Sequence, residues 1–124
     1  MSGYDPKKSR VSEDTMVDFM RAKITGDITE VPGIGPAAAA KLATGDPDDR
    51  ITTTYQLIGK FLSFKDQGVT AVEHTNRFWY FLQEKEISAH RSAIVKAVAE
   101  KVNGMMPGVY EASEFEAENE EDDE

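Results

Sequence analysis

No cysteine occurs in the 124 residues. Disulfide staples and thiolate zinc sites are therefore excluded. The two histidines, His74 and His90, have no spacing that suggests a metal site. No apolar run is long enough to span a membrane, and the N-terminal stretch carries no signal-peptide core. An intracellular protein with no membrane insertion is expected. Sustained apolar–polar alternation is also missing, which argues against strands. Without a cysteine nucleophile or any other catalytic constellation, the chain reads as a non-enzyme with no cofactor and no metal. The carboxylates of Asp46-Pro47-Asp48-Asp49 fit helix-boundary caps and a solvated turn.

What remains is a helical pattern. A chain of this length with 40% apolar residues predicts one domain with a modest core. Met16, Phe19 and Met20 stand at i, i+3 and i+4, giving a short helix capped by Ser12 or Asp14 and broken by Gly26. A second helix is predicted from about Pro36 to Ala43, before the loop Gly45–Asp49. Thr53 with Gln56 and Thr70 with Glu73 have capping-box spacing and open two more. Leu57, Ile58, Phe61 and Leu62 mark one apolar face, and Val72, Phe78, Trp79, Phe81 and Leu82 mark the other. The aromatic run Trp79-Tyr80-Phe81 suits core or interface better than base stacking. Ser88 is the expected cap of a last helix, in which Ala93, Ile94, Ala97, Val98, Lys101 and Val102 recur at helical spacing. The chain is thus read as all-α, a compact bundle of about five helices over residues 13–108. Residues 1–12 are read as a flexible N-terminal arm and 109–124 as a disordered acidic tail.

Charge is distributed unevenly. The net charge of −9 looks wrong for a nucleic-acid binder, but residues 111–124 hold nine acids and no base. The other 14 acids balance the 14 bases of residues 1–110, so the body is formally neutral. A neutral body can carry a local basic patch, which is what a phosphate backbone senses. The tail either keeps the protein soluble, competes within the molecule for that patch, or engages basic proteins such as histones.

The stretch Val31-Pro32-Gly33-Ile34-Gly35-Pro36-Ala37-Ala38-Ala39-Ala40-Lys41-Leu42 is the most specific in the chain. Its two glycines permit a tight turn and close backbone approach. Pro36 suits a first helical position. The amides of Ala37 and Ala38 then face outward at the positive end of a helix, where a phosphate binds readily, and Lys41 adds charge one turn on. Val31, Ile34 and Leu42 would pin the turn from inside. The stretch resembles the hairpin of a helix-hairpin-helix motif, a sequence-independent grip on the DNA backbone. A tight helix–helix turn lined with small residues is the other reading of the same pattern.

The order of the remaining pieces extends the likeness. Asp18-Phe19 ends the first helix, and Gln56-Leu57-Ile58-Gly59-Lys60-Phe61-Leu62-Ser63-Phe64-Lys65 follows the hairpin. An aromatic-rich helix and a final helix come next. Over roughly residues 14–103 the chain resembles barrier-to-autointegration factor, a family of small SAM-like helical proteins that bridge DNA. The resemblance implies sequence-nonspecific binding of double-stranded DNA by a homodimer with two opposed sites. It implies DNA contacts at Gly33, Ile34, Gly35, Ala37, Ala38 and Lys41, and at the last helix start, Ala89, His90, Arg91 and Ser92. The Arg91 fork and the free amides around it suit a phosphate on physical grounds as well. Gly59, with Ile58 and Leu62, falls at the family's dimer interface; close packing within one protomer would equally explain a mid-helix glycine.

Departures from the family are also plain. Its N-terminal basic contact falls near Asp14-Thr15 here, leaving Lys7, Lys8 and Arg10 as substitutes. At Ser63-Phe64-Lys65-Asp66 a basic residue of the family's protein-binding groove is acidic. The family implies a nuclear, chromatin-associated setting, in a eukaryote or its virus, with nuclear-envelope proteins among candidate partners. The competing function is a helical protein-interaction adaptor or histone-binding chromatin factor that works through its acidic tail.

Overall fold

The computed structural model describes residues 3–115, and among these the chain is all-helical, with no strand. Five α-helices follow in order: α1 Glu13–Arg21, α2 Pro36–Leu42, α3 Thr54–Ser63, α4 Ala71–Glu84 and α5 Arg91–Met105. Two single 3₁₀ turns, Pro6–Lys8 and Ile28–Glu30, precede α1 and α2. None of these helices is long and apolar enough to cross a membrane.

Local caps set most of the boundaries. Ser12 accepts the Thr15 amide at 3.1 Å and starts α1. Thr53 and Gln56 form a reciprocal capping box at α3, the Thr53 hydroxyl accepting the Gln56 amide at 3.1 Å. At α4 only one half of the expected box forms, Thr70 accepting from Glu73 N–H at 3.2 Å.

Two boundaries differ from the sequence expectation. Helix α1 ends at Arg21, past Asp18-Phe19 and ahead of the expected break at Gly26, and Lys101 reaches its C-terminus. The buried Lys101 ammonium donates to the carbonyls of Phe19 (2.6 Å), Met20 (3.1 Å) and Ala22 (2.5 Å) and lies over the Phe19 ring. It thereby satisfies carbonyls that the helix end leaves open. Helix α5 begins at Arg91, three residues after the expected cap Ser88, and its N-cap is His90 in a left-handed conformation (φ +63°). The delay follows from the end of α4. Glu86 (φ +64°) donates its amide to Gln83 O at 2.9 Å, and Ile87 donates to Leu82 O at 3.1 Å. This is a Schellman turn closed by Glu86 where a glycine is usual.

Helix α5 is the centre of the core. Its Ile94, Val95, Ala97, Val98, Ala99 and Val102 are all buried, and α1, α3, α4 and the first 3₁₀ turn pack against it. The chain before α1 is part of this packing. Tyr4 is buried, its amide bonds Asn76 Oδ1 at 2.8 Å, and its hydroxyl meets that of Tyr110 at 2.8 Å. Residues 3–12 therefore do not form the flexible arm expected from their polar composition. Residues 109–115, assigned to the acidic tail, also fold back, burying Tyr110 and Phe115. The remainder of that tail, 116–124, lies outside the described residues.

His74 is wholly enclosed between α3 and α4, stacked on Phe61 with ring centroids 4.1 Å apart. Its Nε2 is 2.7 Å from the Phe61 carbonyl and must donate to it, which leaves Nδ1 without a partner. Burial holds its pKa below the ordinary value, and the charges of Lys65 and Arg77 add to that effect. The unfolded chain therefore binds a proton near pH 6.5 (about the free histidine value) that the folded chain refuses. Stability should be complete above that pH and fall as the pH drops from 7 to 5. Urea midpoints across this range should show the loss in the wild type, and His74→Gln should flatten it. Parallel profiles for the two proteins would contradict the assignment.

Candidate nucleic-acid interface

The hairpin is built from residues 25–36. Glu30, at the end of the second 3₁₀ turn, braces it from behind. Its carboxylate accepts the Thr25 amide (3.0 Å), the Gly26 amide (3.1 Å) and the buried Thr54 hydroxyl (2.6 Å). Partial burial pushes this carboxyl up, but the hydrogen bonds from Thr54, Thr25 and Gly26 outweigh it and hold the pKa below its ordinary value. The Ile34 amide then closes the turn on Val31 O at 3.0 Å. Val31, Ile34 and Leu42 are buried, as expected of the pins.

The two glycines of the turn differ. Gly33 has φ +96°, and a methyl there would lie 2.9 Å from Ile94 Cγ1 and 3.3 Å from both Ala93 Cβ and His90 Cβ. Both its conformation and its surroundings require glycine. Gly35 is extended (φ −101°) and exposed, and no neighbouring atom lies within 4 Å of where a methyl would stand. Its lack of a side chain is not needed for folding. The amides of Gly35, Ala37 and Ala38 have no acceptor among the described residues. Those of Arg91, Ser92 and Ala93 likewise have none.

The contact at Gly33 brings the hairpin against the start of α5. An open groove of about 770 Å³ runs beside it, walled by Ser9, Val11, Asp18, Gly33, Gly35 and His90, among others. Asp18, which is exposed, and Glu30, whose carboxylate is already engaged by Thr25, Gly26 and Thr54, are the acidic residues of this wall. Lys41 and Arg91 do not line it. Lys41 Nζ donates to Glu86 O at 2.9 Å, so it is tethered rather than mobile. Arg91 donates to Ile87 O at 2.7 Å and stacks on Trp79, its guanidinium carbon 4.2 Å from the ring centroid. Each cation keeps unused donors, two on the ammonium and four on the guanidinium by the ordinary inventory of about three and five.

Other expected contacts sit differently. Ser92 is buried, and its hydroxyl accepts the Asp5 amide at 3.3 Å, so it fastens the N-terminal segment and does not face a ligand. The Ile34 side chain belongs to the core, leaving only its backbone toward the turn. Ala37, Ala89 and His90 are exposed and Ala38 is half-buried. Trp79 and Phe81 are buried in the core, while Tyr80 is exposed.

On α3, Ile58 and Leu62 are half-buried against the protomer's own core. Gly59 is exposed, with nothing within 4 Å of where a Cβ would stand. Close packing within the protomer therefore does not explain this glycine. Tyr55, one turn earlier, is 59% exposed and donates its hydroxyl to Ile24 O at 3.1 Å.

Glu30 and Ser9 were not legible as parts of the site. Glu30 acts through Thr54, 24 residues away, and no local pattern announces that bond. Among the described residues no cluster of His, Asp and Glu is arranged to hold a metal ion. No protein-family model, curated protein or solved structure matches the chain.

The glycine contrast has a direct consequence. Gly33→Ala should destabilise the fold by about 2–4 kcal/mol, combining left-handed strain with overpacking against Ile94. Gly35→Ala should change stability by less than about 0.5 kcal/mol. Denaturant titration of both variants checks this, and equal losses would contradict it.

Proposed function

We propose that the protein is a non-catalytic, sequence-nonspecific binder of double-stranded DNA that acts as a homodimer and bridges two duplexes. The observation that carries the reading is the seating of Gly33 against His90, Ala93 and Ile94. Two helix starts with unbonded amides thereby lie side by side, and an exposed Gly35 lets a phosphate backbone approach closely. Lys41 and Arg91 supply charge from their remaining donors. Lys7 and Lys8, exposed on the first 3₁₀ turn just before groove residue Ser9, replace the basic contact that the family resemblance places near Asp14.

Dimerisation through α3 is part of the same proposal. The unfilled exposure of Gly59 beside Tyr55 suits the close approach of a second α3. A chromatin-compacting role in a nucleus, with histones or nuclear-envelope proteins as further partners, follows from the resemblance. The exposed acid Asp18 in the groove wall favours a second reading, a protein-interaction adaptor.

Gel shifts on random-sequence duplexes, with mass measured in solution, separate these readings. The DNA reading expects binding by a dimer with little difference between sequences. Affinity should drop roughly 10- to 150-fold from 50 to 200 mM salt, for two to four phosphate contacts per site. Gly35→Glu should abolish binding while leaving the folded state intact, because nothing crowds that position. Binding to one sequence only, or full binding by the Glu variant, would refute the mechanism; no binding at all would favour the adaptor.

A further inference from the structure

We propose that the acidic segment 116–124 docks on a basic rim formed by Lys7, Lys8, Arg10 and Lys96, and competes there with the DNA backbone. The competition rests on the DNA reading above; the docking does not.

The root of the segment is fixed. Phe115 is buried, with its ring 5.4 Å from that of Tyr4 and 5.6 Å from that of Tyr110. Glu114 is tied to the start of α4, accepting the Ala71 amide at 3.1 Å. The acidic segment therefore departs from a defined point on the surface. A cavity of about 500 Å³ opens at that point, and Lys7 and Lys96 stand in its wall with Phe115, Tyr110 and Glu100. Glu100 Oε2 lies buried there without a hydrogen-bond partner, so the interior of the cavity repels an anion. An acidic chain is left with the rim, to which the exposed Lys7 and the half-buried Lys96 contribute.

The rim leads toward the hairpin. Lys7 belongs to the cavity at the root, and Ser9 and Val11 belong to the groove beside Gly33 and Gly35. Lys7 and Ser9 are two residues apart, at most about 7 Å of chain. Lys8 and Arg10 are exposed between and beside them. None of Lys7, Lys8, Arg10 and Lys96 has a carboxylate partner among the described residues. Residues 116–124 carry seven acids in nine positions and span up to about 30 Å when extended. That reach covers the rim from Phe115 to Ser9. Tethering raises the local concentration of the polyanion to roughly the millimolar range. Exposed ion pairs are individually weak and screened by salt, so the segment acts as a graded brake that a long DNA polyanion displaces.

The test uses the 124-residue chain with the seven acids neutralised: Glu116→Gln, Glu118→Gln, Glu120→Gln, Glu121→Gln, Asp122→Asn, Asp123→Asn and Glu124→Gln. Backbone and side-chain NMR shifts are compared with the wild type at 20 and 500 mM salt, alongside affinity for a random duplex. Shift differences should concentrate at Lys7, Lys8, Arg10 and Lys96 and vanish at high salt. The variant should bind DNA about 5- to 20-fold more tightly at 50 mM salt, the two proteins converging as salt rises. Unshifted signals at those four residues overturn the docking. Shifts there with unchanged DNA affinity overturn the competition. Shifts there with no DNA binding by either protein uphold the docking and overturn the DNA reading alone.

Discussion

Gly33 turns the chain through a left-handed conformation at a point where a methyl group would press on Ile94. The rest of the proposed site depends on that approach. It draws the hairpin onto the first turn of α5, and so places two sets of unbonded amides within one surface. Glu30 maintains the turn from the opposite side by holding residues 25–26 and the start of α3. The arrangement is therefore held by the fold's own contacts and hydrogen bonds, and preorganisation of that kind lowers the ordering cost of binding a charged backbone.

Helix α5 connects this surface to the rest of the molecule. Near its start Ser92 holds the segment before α1; further along, Lys101 holds the end of α1. Both fasteners are polar groups buried on the helix's core side, and both are satisfied by main-chain partners. The same helix carries Lys96, so the proposed rim and the hairpin share one support. Anion binding at one is expected to be felt at the other through charge alone, without a conformational change.

The legible parts of this fold were those encoded locally. Ser12, Thr53 and Thr70 each cap the helix that their side chains announce, and the apolar spacing of α5 identified the face that is buried. Lys101 was legible by position and not by role, since its carbonyl partners lie about 80 residues earlier. The end of α4 at Glu84 was read correctly, but the turn after it was not, because Glu86 occupies a left-handed position without being glycine, and this delayed α5 to Arg91. The packing of residues 3–12 rests on Tyr4, whose partner Tyr110 is 106 residues away, so a polar composition concealed it. At the site, the hairpin's turn was apparent from Gly33 to Pro36, while the tethering of Lys41 and Arg91 was not. Each bonds a carbonyl in the turn after α4, whose course the sequence did not reveal.

A neutral body, a polarised hairpin surface and an acidic C-terminal segment together make up the proposed DNA-bridging device. Bridging requires that two duplexes be held at once. A biotinylated random duplex on beads, incubated with protein and a second, fluorescent duplex of unrelated sequence, measures this directly. Retention of the second duplex should depend on protein, rise and then fall as protein saturates both DNAs, and disappear at high salt. Binding of the protein to the immobilised duplex with no retention of the second at any ratio would contradict bridging.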